Sequence, residues 1–145
     1  MDKIFIDTSL FIRFFTRDIE EKYNECKSLF ERIEEGEFRP YTSSIVLLEI
    51  FFVLTRQYKF KTDLVRNAIE EVLQMRNLVL LEKTNMKRTL KFYDQYKIKF
   101  ADCLIAAQLP AKTKLVTYDA EFKKIKSLDL VTPKDIINRY GRKYS

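Results

Sequence analysis

The sequence predicts an α/β fold, a short parallel sheet wrapped by helices, on three observations. Short apolar runs rich in strand formers alternate with longer stretches of helical periodicity, in the order strand, helix, helix, strand, helix, helix, strand, helix. The first run, Ile4-Phe5-Ile6, is continuously apolar and ends in a carboxylate, Asp7. A strand buried on both faces of a parallel sheet has that pattern, and its carboxyl end is the edge where such sheets gather ligands. Finally, 145 residues with 46% hydrophobic and 33% charged content suit one globular domain spanning residues 1–145, with a full core and a heavily charged surface.

After Asp7-Thr8-Ser9, the run Leu10-Phe11-Ile12-Arg13-Phe14-Phe15 reads as a short helix ending near Thr16-Arg17-Asp18. Asp7 therefore has a second reading, as the N-cap of that helix. From Ile19 to Glu35, Tyr23, Cys26, Leu29, Phe30 and Ile33 recur at spacings of three and four, and Gly36 follows as a stop, so this is an amphipathic helix. Phe38 to Thr42 is a short second strand, and Ser43 or Ser44 caps the helix after it. That helix, Ile45 to Leu54, is apolar at every position except Glu49, which predicts burial nearly all round. A buried carboxylate is costly, so Glu49 either pairs with a cation or faces a site.

Asp63 to Met75 is a further amphipathic helix, capped by Thr62 or Asp63, with Leu64, Val65, Ala68, Ile69, Val72 and Leu73 on one side. Leu78 to Leu81 is a third strand. Met86 to Tyr96 is helical, with Leu90 and Tyr93 inward and Lys87, Arg88 and Lys91 outward. Phe100 to Ala107 repeats the earlier anomaly, since Asp102 is the one charge in a small, apolar helix ended by Pro110. Near the first turn Asp102 also favours the helix dipole. Lys114 to Asp119 is a strand that ends in a hydroxyl-flanked acid, much like the opening. Leu128 to Thr132 is a last short strand, and Pro133 opens the closing helix, Lys134 to Tyr140. The basic end from about residue 139 is a solvated tail.

What the chain lacks narrows its chemistry. It has no histidine, which removes histidine triads, histidine acid–base catalysis and histidine-ligated zinc. With two glycines it cannot write a phosphate-cradling loop, and its two cysteines, Cys26 and Cys103, form no Cys-x-x-Cys motif and read as reduced core residues. No apolar run is long enough to span a membrane and no leader is evident, so the sequence points to the cytoplasm. The net charge of +6 suits an acidic partner such as nucleic acid.

Four acids share one property: Asp7 and Asp119 close buried strands, and Glu49 and Asp102 interrupt apolar helices. In a parallel sheet the strand-end acids share an edge, and helices that start there can bring the other two to meet them. Converging carboxylates repel unless a cation joins them, and oxygen-only donors favour Mg²⁺ or Mn²⁺ over zinc. A cation so held is how histidine-free sites hydrolyse phosphodiesters.

The stretches Ile6-Asp7-Thr8-Ser9, Ser44 to Glu49, Phe100-Ala101-Asp102 through Ala107, and Leu115 to Asp119 resemble the ordered acidic motifs of PIN-domain nucleases. Most similar are the small VapC-like toxins of prokaryotic toxin–antitoxin pairs. The resemblance covers essentially the whole chain. It implies a three-layer α/β/α fold and Mg²⁺- or Mn²⁺-dependent endonuclease action on RNA. It also implies a homodimer, and inhibition by a protein antitoxin whose tail enters the active-site groove beside Phe11 and Phe14. Asp7, Glu49, Asp102 and Asp119 then match the metal-site acids, and Ser9 and Thr117 the hydroxyls that orient acids or water. Gln108-Leu109-Pro110 departs from the family's run toward a glycine, which leaves Glu121 as an alternative to Asp119. Lys59, Lys61, Lys97 and Lys99 either help to hold phosphate or are simply solvated. A haloacid-dehalogenase-type phosphatase would need a second Asp where this chain has Ser9. The remaining alternative is a catalytically silent PIN-like module that binds RNA or protein.

Overall fold

A computed structural model describes the backbone of residues 1–140 and the side chains of residues 1–138. The basic tail expected from about residue 139 lies outside the described residues. Five strands form one parallel sheet: β1 (Asp2–Ile6), β2 (Phe38–Ser43), β3 (Val79–Leu81), β4 (Thr113–Val116) and β5 (Leu130–Val131). Their order is β3-β2-β1-β4-β5. Between β1 and β2 run α1 (Thr8–Thr16) and α2 (Glu20–Glu34), and between β2 and β3 run α3 (Ser44–Arg56) and α4 (Thr62–Leu73). The chain then crosses back through α5 (Met86–Tyr96) and α6 (Phe100–Gln108) to β4, and closes with α7 (Pro133–Tyr140). Parallel crossovers are right-handed, so reversing direction after β3 moves α5 and α6 to the face opposite α1 to α4. The result is three layers.

Ile4, Phe5 and Ile6 are wholly buried, as are Leu115 and Val116 beside them, because both strands are central. The stop after α2 follows its sequence signal: Gly36 takes a left-handed φ of 86°, its N–H bonds Ile33 O, and the Glu37 N–H reaches Arg32 O. That pairing uses up the last carbonyls of the helix. At the start of α3 the Ser43 hydroxyl accepts from the Val46 N–H at 3.3 Å. Both cysteines are free and buried.

Several expectations are corrected. Helix α3 is not buried all round: it packs through Val46, Ile50 and Leu54, and leaves Leu48 67% exposed, with Phe51 and Phe52 also open. Three inward residues four apart suffice to seat one side of a helix, and the opposite side meets solvent whatever its composition. On α4, Leu64 and Leu73 are exposed for the same reason, and the cap position is Lys61, which offers no side-chain acceptor. Leu90 and Tyr93 of α5 point outward; Thr89, Phe92 and Tyr96 face in. Thr89 tolerates full burial because its hydroxyl donates to Asn85 O at 2.8 Å. Strand β4 stops at Val116 and not at Asp119, and a 3-10 turn, Ala120–Lys124, follows it. Past Pro110, Lys112 adopts a left-handed φ of 56°, a region in which glycine is more at ease.

Candidate active site

Strands β1 and β4 are neighbours at the centre of the sheet, yet the chain leaves them in opposite directions, towards β2 and towards β5. Open parallel sheets form a crevice at the carboxyl edge of such a pair. Asp7 lies one residue past β1, still tied to the ladder by its N–H to Val116 O at 3.1 Å. Thr117, Tyr118 and Asp119 leave β4 beside it.

Asp7 is 3% exposed and stands at the N-cap position of α1, but makes no side-chain capping bond. Its oxygen Oδ2 instead accepts two hydroxyls, from Thr117 at 2.7 Å and Ser9 at 3.0 Å. Each hydroxyl is itself aimed by backbone: the Tyr118 N–H donates to Ser9 Oγ at 3.1 Å, and the Asp119 N–H to Thr117 Oγ1 at 2.9 Å. The loop leaving β4 therefore fixes the acid leaving β1. Burial raises the Asp7 pKa above its ordinary value; the two hydroxyls and the Thr8 backbone pull it down, and the charge of Glu49 adds to the rise.

Asp102, in the first turn of α6, is 4% exposed, and its Oδ2 is buried with no hydrogen-bond partner. Its carboxyl is pushed up to about 7, first by burial, then by the charges of Asp7 and Asp119, with Lys99 opposing and Glu49 adding. Lys99, at the same helix start, reaches across to α3 and ties the start of α6 to Glu49. Glu49, on α3, is half-buried, with Oε1 accepting from Thr8 Oγ1 at 2.9 Å and Oε2 from Lys99 Nζ at 2.5 Å. Burial lowers the Lys99 pKa, but the Glu49 hydrogen bond and the neighbouring acids outweigh it, so the net shift is upward. Asp119 caps the 3-10 turn, its Oδ1 accepting from the Glu121 N–H at 2.9 Å. The Glu121 side chain is exposed and pairs with Lys124 at 3.3 Å.

Among the described residues no three carboxylates are gathered tightly enough to enclose an ion. The donors nonetheless fit a hard cation: all are oxygens, one buried oxygen is unpartnered, and two of the carboxyls are raised, first by burial and then by neighbouring acids. Mg²⁺ commonly takes one or two carboxylates and keeps waters and phosphate oxygens for the rest, so a closed cage is not required.

Two parts of this arrangement were not foreseen from the sequence. Thr8, which orients Glu49, carries only a faint signal, a hydroxyl directly after the first acid. A cation partner was one of the two readings of Glu49, but Lys99 lies 50 positions away and no local signal names it as that partner. Of the other lysines singled out, Lys97 ends α5 with its ammonium 5.1 Å from the centre of the Tyr93 ring, and Lys59 and Lys61 are exposed at the loop before α4.

A family model described as PIN domain matches residues 4–128. No curated protein sequence matches the chain. Among solved structures, VapBC2 from Rickettsia felis bound to a DNA fragment from its promoter is similar at a TM-score of 0.62 and 20% identity, over 89% of this chain and 97% of that one. VapBC-1 from nontypeable Haemophilus influenzae is similar at 0.65 and 20%, over 90% and 98%. A toxin–antitoxin complex from Klebsiella pneumoniae is similar at 0.60 and 23%, over 90% and 98%. Identities this low establish a shared fold.

Proposed function

The chain belongs to the PIN domain family, whose members are generally nucleases that use divalent metals, and from that premise we propose that it is a Mg²⁺- or Mn²⁺-dependent endoribonuclease, the toxin of a toxin–antitoxin pair. The observation that carries the reading is the buried Asp102 oxygen left unpartnered, on a helix start whose Lys99 reaches Glu49, while Asp7 is held by Thr117 of the loop that leads to Asp119. A divalent cation bound there would supply the Lewis acidity that activates water and offsets charge on the phosphate. The chain's own part is positioning. Ser9 and Thr117 hold Asp7 by one oxygen, and Thr8 holds Glu49, so these carboxylates need little ordering as the reaction proceeds. The net charge of +6 favours a polyanionic substrate. RNA as that substrate, and an antitoxin as partner, follow from the likeness to VapC-like toxins and from the toxin–antitoxin complexes in which similar chains occur.

The groove lined by Phe11, Phe14, Phe15, Phe30, Val72 and Met75, about 140 Å³, is the apolar feature that fits an inserted antitoxin segment. Leu10 and Phe11 themselves are core, and it is the half-buried Phe14 and Phe15 that remain available to such a segment. A second reading, the silent module, is favoured by the Glu49–Lys99 pair and by the open spacing of the acids among the described residues. Incubating purified protein with RNA separates the two. Cleavage is expected in Mg²⁺ or Mn²⁺ and not in excess EDTA, and Asp7→Asn is expected to lower it by roughly a hundredfold or more. Full cleavage in EDTA overturns the metal-dependent reading, and no cleavage with any divalent metal leaves the silent module.

A further inference from the structure

Lys99 breaks a local rule. It holds the N-cap position of α6, where Ser, Thr, Asp or Asn would accept an orphan N–H, and the helix has no side-chain cap. A cation there also opposes the positive end of the helix dipole.

An ion pair compensates for the missing cap. The Lys99 ammonium donates to Glu49 Oε2 at 2.5 Å, reaching from α6 to α3, while Thr8 holds the other oxygen. Its side chain is 63% exposed, against 16% for Glu49, so the lysine comes to the acids from the solvent side. It is also three residues before Asp102, on the same helix start. A positive charge already rests on one of the four acids, and the acid it holds is unavailable to an ion.

We propose that Lys99 is a resident counter-ion of the acidic site that competes with the divalent cation and must release Glu49 for the cation to engage it. The inference rests on the metal-site reading above. Its consequence is that Lys99 weakens metal binding.

Calorimetric titration of Mn²⁺ into the metal-free protein tests this without any measurement of cleavage. Removing a unit charge in contact with a ligand carboxylate is expected to tighten Mn²⁺ binding roughly tenfold in Lys99→Gln. Lys99→Arg, which keeps the charge, is expected to bind like the unsubstituted protein. Lys3→Gln, which removes an exposed charge near the other end of β1, four residues of extended chain or about 13 Å from Asp7, is expected to change affinity by less than about twofold. The rise in melting temperature on adding Mn²⁺ should be larger in Lys99→Gln than in the unsubstituted protein. Lys99→Met, which keeps the stem, serves as a second uncharged variant should the glutamine fold poorly. Equal or weaker Mn²⁺ binding by the uncharged variants overturns the counter-ion role while leaving the metal site standing. If no form binds Mn²⁺, the metal-site reading falls and this inference with it.

Discussion

At Asp102 a carboxyl group is enclosed, one of its oxygens lacks a partner, and three other acids act on it. Its pKa of about 7, against an ordinary 3.8, has a definite consequence for stability in the absence of metal. Between these values the folded state keeps a proton that the unfolded state has released, so stability falls as pH rises from about 4 to about 7 and levels off above. Asp7, also raised by burial, acts in the same direction. In EDTA, denaturation at pH 8 should therefore show less stability than at pH 5.5. Asp102→Asn should recover up to about 4 kcal/mol at pH 8 and flatten the dependence. An Asp102→Asn protein that is less stable than the parent at pH 8 in EDTA would count against a strained, unpaired carboxylate. Asp7, Glu49 and Asp102 were legible because a charge interrupting an apolar stretch has no cheap place to go. What oriented them was not: the Thr8 and Lys99 contacts join residues far apart in sequence, and pairing across elements leaves no mark on local composition.

Element by element, periodicity located the helices but overstated how much of them is covered. The apolar run of α3 implied burial on all sides, whereas a helix on the outside of a sheet seats one side only, here Val46, Ile50 and Leu54. On α5 the aliphatic and aromatic positions Leu90 and Tyr93 outweighed Thr89 in the sequence, yet a threonine that bonds its own helix carbonyl can be the buried one. The open apolar residues Leu48, Phe51 and Phe52 on α3 offer a surface that a second copy of the chain would cover in the homodimer the resemblance implies. A Leu48→Asp, Phe52→Ser double variant should keep its circular dichroism spectrum, since neither side chain is core. Light scattering should then show it monomeric at concentrations where the unsubstituted chain is dimeric. An unchanged dimer moves the interface elsewhere, and a monomeric parent removes the dimer.

For the molecule as a whole, the parallel sheet and its ligand edge were legible because buried strands read as short continuous apolar runs and the number of helices between them limits the connections. The strand order was not, and it is the order that makes the site: β1 and β4 are adjacent and leave in opposite directions, which brings Asp7 of the first ten residues against Thr117 near the end. The acids from α3 and α6 arrive on helices from the two faces of the sheet, which no local pattern could announce. If this crevice is a divalent-metal site, an anomalous difference map from crystals soaked in Mn²⁺ will locate the ion there. A peak is expected within about 2.5 Å of carboxylate oxygens of Asp7 and Asp102. A soak at saturating Mn²⁺ that leaves this edge without a peak would contradict the claim.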